Sequence, residues 1–194
     1  MRMLLIAVAL VVAHTAWGGD FEDGWAAYDR KDYATAFTKF RSAAQLGNAA
    51  AQALVGMMYD EGIGVAQDYK EAVRWYQLAA QQGYADAQYN LGIMYKDGQG
   101  ITQDYKEAVR WYKLAAQQGH AKAQQNLGVM YLKGQGVLQD HSRAHMWFNI
   151  AAINGDKDSV KNRDIAASKM SPQQIEQAQR MARECMASNF KKCD

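Results

Sequence analysis

The amino-acid sequence predicts an all-α solenoid of stacked helix-turn-helix repeats, closed by capping helices at both ends. Three observations carry that prediction. Residues 68–103 laid over residues 104–139 match at 27 of 36 positions, and the register extends back to Asp32 and forward to Asp140. Within each period, apolar residues recur at helical spacing behind an acidic capping residue. Only one proline, Pro172, stands among 194 residues rich in Ala, Gln, Tyr and Met, so long helices run uninterrupted. A period of this length is one supersecondary unit, which buries its apolar face only by stacking on its neighbours.

Residues 1–18 stand outside the repeat. Arg2 followed by the apolar run Met3 to Ala13 and then by small residues is the pattern of a secretory signal peptide. The run has 11 residues against the roughly 20 that cross a bilayer, so a cleaved leader is expected, with a retained anchor as the alternative. Ala16 and Gly18 suit cleavage after Gly18, and cleavage after Ala16 is a second option. After its removal, no stable membrane insertion is expected.

Residues 19–47 read as a helical hairpin, with a helix from Phe21 to Asp29 and another from Tyr33 to Leu46. Three full units follow over 48–83, 84–119 and 120–155. Their second helices are the clearer. Asp68 with Glu71 and Asp104 with Glu107 have the spacing of capping boxes. Ala108, Trp111, Tyr112 and Ala115 then fall at i, i+3, i+4 and i+7, and the helix stops at Gly119. Ala72, Trp75, Tyr76, Ala79 and Gly83 repeat this face, as do Ala144, Trp147, Phe148, Ala151 and Gly155, with Ala36, Phe40, Ala43 and Gly47 as a degenerate copy.

The first helix of a unit spans about Ala85 to Lys96, with Ala87, Leu91 and Met94 on its core stripe. Gly56, Gly92 and Gly128 share one position beside that stripe. A glycine there costs about 1 kcal/mol of helix stability but lets a facing Trp or Tyr approach the backbone. The paired glycines Gly62 and Gly64, Gly98 and Gly100, and Gly134 and Gly136 read as left-handed helix stops. They lack both the preceding strand and the spacing of a phosphate loop. Residues 156–194 should cap the stack. Ser171, Pro172 and Gln174 start a helix reaching about Ser188, in which Ile175, Ala178 and Ala182 seal the last repeat while Gln177, Arg180 and Arg183 face water.

These residues identify a resemblance. Ala87 to Tyr95, then Gly98-Gln99-Gly100, Asp104-Tyr105, Ala108, Trp111-Tyr112, Ala115-Ala116 and Gly119 closely resemble the Sel1-like repeat, three times over just more than half the chain. The resemblance implies a right-handed α/α solenoid related to tetratricopeptide repeats, a non-catalytic adaptor role binding unknown protein partners, and a periplasmic location. One branch, the Helicobacter cysteine-rich proteins, includes members associated with β-lactam binding or hydrolysis and carries a cysteine pair in each repeat. Here the full repeats hold no cysteine, and the single pair, Cys185 and Cys193, lies in the terminal segment. That departure argues against carrying over the activity. A closed loop between Cys185 and Cys193 is expected in an oxidising compartment, with free thiols or an intermolecular bridge as alternatives.

Function is sought where the repeat varies. Seven of the nine mismatches between the two near-identical units lie in the first helix or the loop after it. Asp86/Lys122, Tyr89/Gln125, Ile93/Val129 and Asp97/Lys133 follow i, i+3, i+7 and i+11, a single helical stripe. The preceding unit places Ala50, Ala53, Met57 and Glu61 on it. The expected partner-binding face is therefore Met57, Glu61, Asp86, Tyr89, Ile93, Asp97, Lys122, Gln125, Val129 and Lys133, with solvent-facing or core positions as the plain alternative. A cell-wall peptide or glycan is the alternative ligand, since Tyr89 could stack on a sugar.

Formal charge is +2, from 22 basic and 20 acidic residues, and no stretch alternates basic with aromatic residues, so nucleic acid is not an expected partner. His141 and His145 sit one helical turn apart with Ser-Arg-Ala between them, not the H-E-x-x-H pattern, so no metal site is assigned. No cofactor site is indicated. No nucleophile with a base partner stands out, and the recurrent acids have capping roles.

Overall fold

The computed structural model describes residues 19–193; the leader expected over residues 1–18 lies outside them. The described residues form ten helices and no strand. In chain order these are α1 (19–29), α2 (Tyr33–Gln45), α3 (Ala49–Glu61), α4 (Tyr69–Gln81), α5 (Ala85–Asp97), α6 (Tyr105–Ala116), α7 (Ala121–Lys133), α8 (His141–Ile153), α9 (Asp158–Ala167) and α10 (Pro172–Ala187). Among the described residues, no helix is long and apolar enough to cross a membrane. The chain divides after Tyr84 into two compact units.

In the first unit, α3 packs against both α2 and α4. Its core gathers Ala36, Phe37, Phe40, Ala43, Ala51, Val55, Met58 and Trp75, with Ala27 contributed by α1. Lys39 ties α1 to α2 through Asp20 at 2.9 Å and Asp23 at 3.1 Å. In the second unit α5 pairs with α6, and α6 leads on to the α7–α8 hairpin. Both α9 and α10 then pack on α8. Ala108, Tyr112, Ala115, Leu127, Trp147, Phe148 and Ile150 form the centre of this core.

Helix starts follow the acidic residues, with one correction. Asp104 accepts from the backbone N–H groups of Lys106 and Glu107, and Asp68 accepts from those of Lys70 and Glu71. The reciprocal half of the expected capping box is not made at either site. Glu107 turns to Arg110 at 3.0 Å and Glu71 to Arg74 at 3.4 Å, because a charged partner one turn ahead offers a charge-assisted bond. Among the described residues, the full box forms at Ser171 and Gln174.

The glycines on the first helices are explained by rings on the second helices. A Cβ on Gly92 would stand 2.6 Å from the Tyr112 ring, and one on Gly128 would stand 2.7 Å from Phe148. Gly56 meets Tyr76 and Gly24 meets Phe40 in the same way. The residue that closes on the backbone is thus the Tyr or Phe of each pair, not the Trp. The loop glycines divide their work. Gly62, Gly98 and Gly134 stop the first helices at φ of 70°, 71° and 67°. Gly64 also lies against the Tyr33 carbonyl, and Gly136 against that of Tyr105, where a side chain would collide with backbone.

A ladder of amides, not anticipated from sequence, joins consecutive hairpins inside each unit. Buried Gln124 donates to the Ala116 carbonyl at 3.1 Å, which also accepts the Gly119 N–H at 3.0 Å at the end of α6, and accepts from Asn154 at 2.8 Å. Gln52 donates likewise to the Ala44 carbonyl at 3.1 Å and accepts from Gln82 at 2.7 Å, and Gln118 donates to Gln88 at 2.8 Å. Burying an amide is costly without partners, and here Gln52 and Gln124 are each held on two sides. At the C-terminus, Ala178, Ala182 and Cys185 are fully buried, while Gln177, Arg180 and Arg183 are exposed. Cys185 and Cys193 form a disulfide that closes the tail, and Phe190 within that loop reaches Gly119.

Candidate interaction surface

The variable stripe of the second unit lies on α5 and α7. Its ends are in water: Asp86, Asp97, Lys122 and Lys133 are all exposed. Its middle is not. Tyr89 and Ile93 on α5 and Val129 on α7 are half-buried against the core, and Gln125 is half-buried beside them. The helical period accounts for the division, because residues i+3 and i+7 lean toward the second helix while the two ends clear it. In the first unit, Met57 is half-buried against its own core and Glu61 is exposed at the end of α3.

A local cluster connects α5 with α7. His120 caps α7 by accepting the Ala123 N–H at Nδ1, 3.1 Å away. Its Nε2 stands 3.3 Å from Asp86, and its ring stacks on Tyr89 with centroids 4.6 Å apart and planes 26° apart. Burial holds the His120 pKa below its ordinary value, while Asp86 pulls the other way. Burial likewise raises the Tyr89 and Tyr112 pKa values, an effect that the neighbouring Asn126 amide eases at both hydroxyls. In the register of the repeats, His120 is only the residue that replaces Tyr84. The signal that could have found its role is its position just before α7, where a ring nitrogen can cap a helix.

The histidine pair separates. His145 is 3 % exposed within the core, and burial lowers its pKa, with Arg163 adding to the effect. His141 is half-buried at the start of α8. Among the described residues, no three His, Cys, Asp or Glu side chains come together as a metal site.

Comparison with known proteins agrees with this architecture. The Sel1 repeat model matches residues 49–84, 85–120 and 121–156. A Sel1 repeat protein from Oxalobacter formigenes superposes with a TM-score of 0.71 at 36% identity, over 75% of this chain and 59% of that one. The antigen c5321 of uropathogenic Escherichia coli strains, described as protective and as displaying an SLR fold, gives 0.61 at 27% identity over 80% of this chain and 42% of its own. Cysteine-rich protein B of Helicobacter pylori shares the fold, with a TM-score of 0.52 at 20% identity over 64% of this chain and 95% of that one. The chain thus spans less than two thirds of the first two proteins. No curated protein matches it. Three consecutive matches over more than half the residues, on an all-α solenoid of this kind, establish that the chain belongs to the Sel1 repeat family.

Proposed function

We propose that the chain is an exported adaptor without catalytic machinery, which binds a protein partner along the first-helix face. One observation carries this reading. Where two repeats are otherwise nearly identical, the exposed ends of the stripe reverse charge, from Asp86 and Asp97 on α5 to Lys122 and Lys133 on α7. Packing does not demand that reversal, since these side chains face water. Between them lie Tyr89 and Ile93 on α5 and Gln125 and Val129 on α7, so the α5 stripe has the half-buried apolar centre and charged rim of a protein interface and the α7 stripe shares its rim and one apolar position. The same register puts Met57 and Glu61 on the corresponding face of α3. Export is supported by the leader-like first residues and by a disulfide, which persists in oxidising compartments. The stacked His120 already covers one face of Tyr89, which leaves less of the ring for a sugar.

The test is a charge exchange, Asp86→Lys and Asp97→Lys with Lys122→Asp and Lys133→Asp, followed by crosslinking in cells and identification of what co-purifies. The expected result is loss of a specific protein partner from a variant whose circular dichroism is unchanged. Unaltered capture would remove the stripe as the binding face. Turnover of a chromogenic β-lactam by the purified protein would overturn the non-catalytic part.

A further inference from the structure

Two surfaces are left unpartnered by the rules that pack the rest of the molecule. The first is on α9. In the hairpins, a first helix is covered by its own second helix, as Phe148 of α8 closes over Gly128 of α7. In register with α7, α9 holds Asp164 at the Gly128 position and Val160 at that of buried Gln124. Yet α10 packs on α8 instead of pairing with α9 as α8 pairs with α7. One side of α9 therefore stays uncovered, an open face formed by Lys157, Val160, Lys161, Asp164, Ile165 and Ser168. Val160 and Ile165 are 42% and 41% exposed, and Asp164 is engaged by Arg163 at 3.1 Å.

The second surface is on α1. Its exposed residues Glu22, Trp25, Ala26 and Asp29 follow i, i+3, i+4 and i+7, one stripe with Trp25 at its centre, 40% exposed. Residues 19–29 hold four acidic side chains and no basic one. The wider balance has the same sense. Residues 19–84 carry nine acidic and six basic side chains, and residues 85–194 carry eleven acidic and fifteen basic.

We infer that α9 of one copy receives α1 of a second copy, so that the protein self-associates head to tail. The chemistry matches on three points. The open face of α9 is the side that a paired second helix covers in the hairpins, and α1 is an amphipathic helix with an exposed stripe. Trp25 supplies a large ring to cover exposed Val160 and Ile165, and Trp is among the side chains that most often anchor interfaces. Glu22 and Asp29 stand about 10 Å apart along α1 on either side of that ring, and Lys157 and Lys161 stand about 6 Å apart along α9 beside Val160, so carboxylates meet amines across the contact. Opposite charges steer the encounter and set its register, so the contact weakens with salt.

Zero-length carbodiimide coupling joins a carboxylate only to an amine in direct contact, and is applied to an equal mixture of unlabelled and nitrogen-15-labelled protein expressed from the full sequence. The expected products are mixed-isotope peptides linking Lys157 or Lys161 to Glu22 or Asp29. Lys157→Glu with Lys161→Glu should weaken self-association about tenfold or more, and so should Glu22→Lys with Asp29→Lys. Mixing the two variants should restore it, because the reversed charges then meet their opposites. A monomer at every attainable concentration would overturn the inference. So would mixed-isotope links from these lysines to carboxylates outside α1, or failure of the mixed variants to associate.

Discussion

Helices α6 and α8 occupy the same place in consecutive repeats, and they share one buried face while their other side differs in burial. Both bury the same face: Ala108, Trp111, Tyr112 and Ala115 in α6, and Ala144, Trp147, Phe148 and Ala151 in α8. On the other side, α6 shows water Arg110 and Leu114, the latter 36% exposed, where α8 has Met146 and Ile150 at 0%. The cause lies in the helices that come after each, since α8 carries both α9 and α10 while α6 carries only its own hairpin partner and the next. A second helix thus has one face fixed by the repeat and another that records whether more structure lies over it. An apolar residue at the Arg110 position marks where the stack turns into its cap.

The largest effect should come from placing the α6 residue in α8. Met146→Arg would bury a charge with no partner, at a cost of about 3 to 5 kcal/mol. Urea unfolding should show that loss, and hydrogen exchange should show α9 and α10 losing protection before α5 and α6. A loss below about 1 kcal/mol would mean that the cover on α8 yields readily, and the contrast between the two helices would fail.

A smaller effect is expected at the adjacent position, where α6 has Val109 and α8 has His145. Burial holds the His145 pKa below its ordinary 6.5, so the folded protein keeps the ring neutral while the unfolded chain takes up a proton near that value. The unfolded state binds more protons there. The resulting stability is therefore fully present above about pH 6.5 and is lost as pH falls through the lowered folded pKa. His145→Val should reduce the acid loss of stability by about 1 kcal/mol between pH 7.5 and pH 5.5, measured by denaturation at both values. His120, also shifted down by burial, remains to give a residual slope. An unchanged pH profile would exclude His145 as a contributor.

What could be read from the sequence follows the same division. The Trp, Tyr and Ala faces were legible because they recur at helical spacing behind Asp caps, and the exposed ends of the stripe were legible because two copies of one unit differ there. The amide ladder was not, because Gln is an ordinary surface residue and nothing in Gln52 or Gln124 alone says that a carbonyl of the preceding helix lies opposite. The stack of His120 on Tyr89 depends on two residues a whole turn-and-helix apart, which periodicity does not connect. Only Ser159 and Ala166 are buried in α9, so it shows almost no helical pattern of its own. The Met146 and Ile150 exchange was visible in the alignment of repeats. Its meaning needed the two covering helices.

The smallest expected effect is the mirror substitution, Arg110→Met in α6. Arg110 lies 4.2 Å above the Trp111 ring and 3.0 Å from Glu107, with half its side chain in water. An exposed i,i+3 pair contributes a few tenths of a kcal/mol, and the cation over the ring contributes about 0.5 to 1 kcal/mol. Methionine keeps an adaptable side chain over the indole and recovers part of that contact. The net loss should stay below about 1 kcal/mol, and the ion-pair share should shrink further in high salt. The same two side chains exchanged in opposite directions then differ several-fold in cost. Such an asymmetry arises only if cover decides these positions, whereas equal costs would mean that each helix selects its residue for local reasons unrelated to α9 and α10.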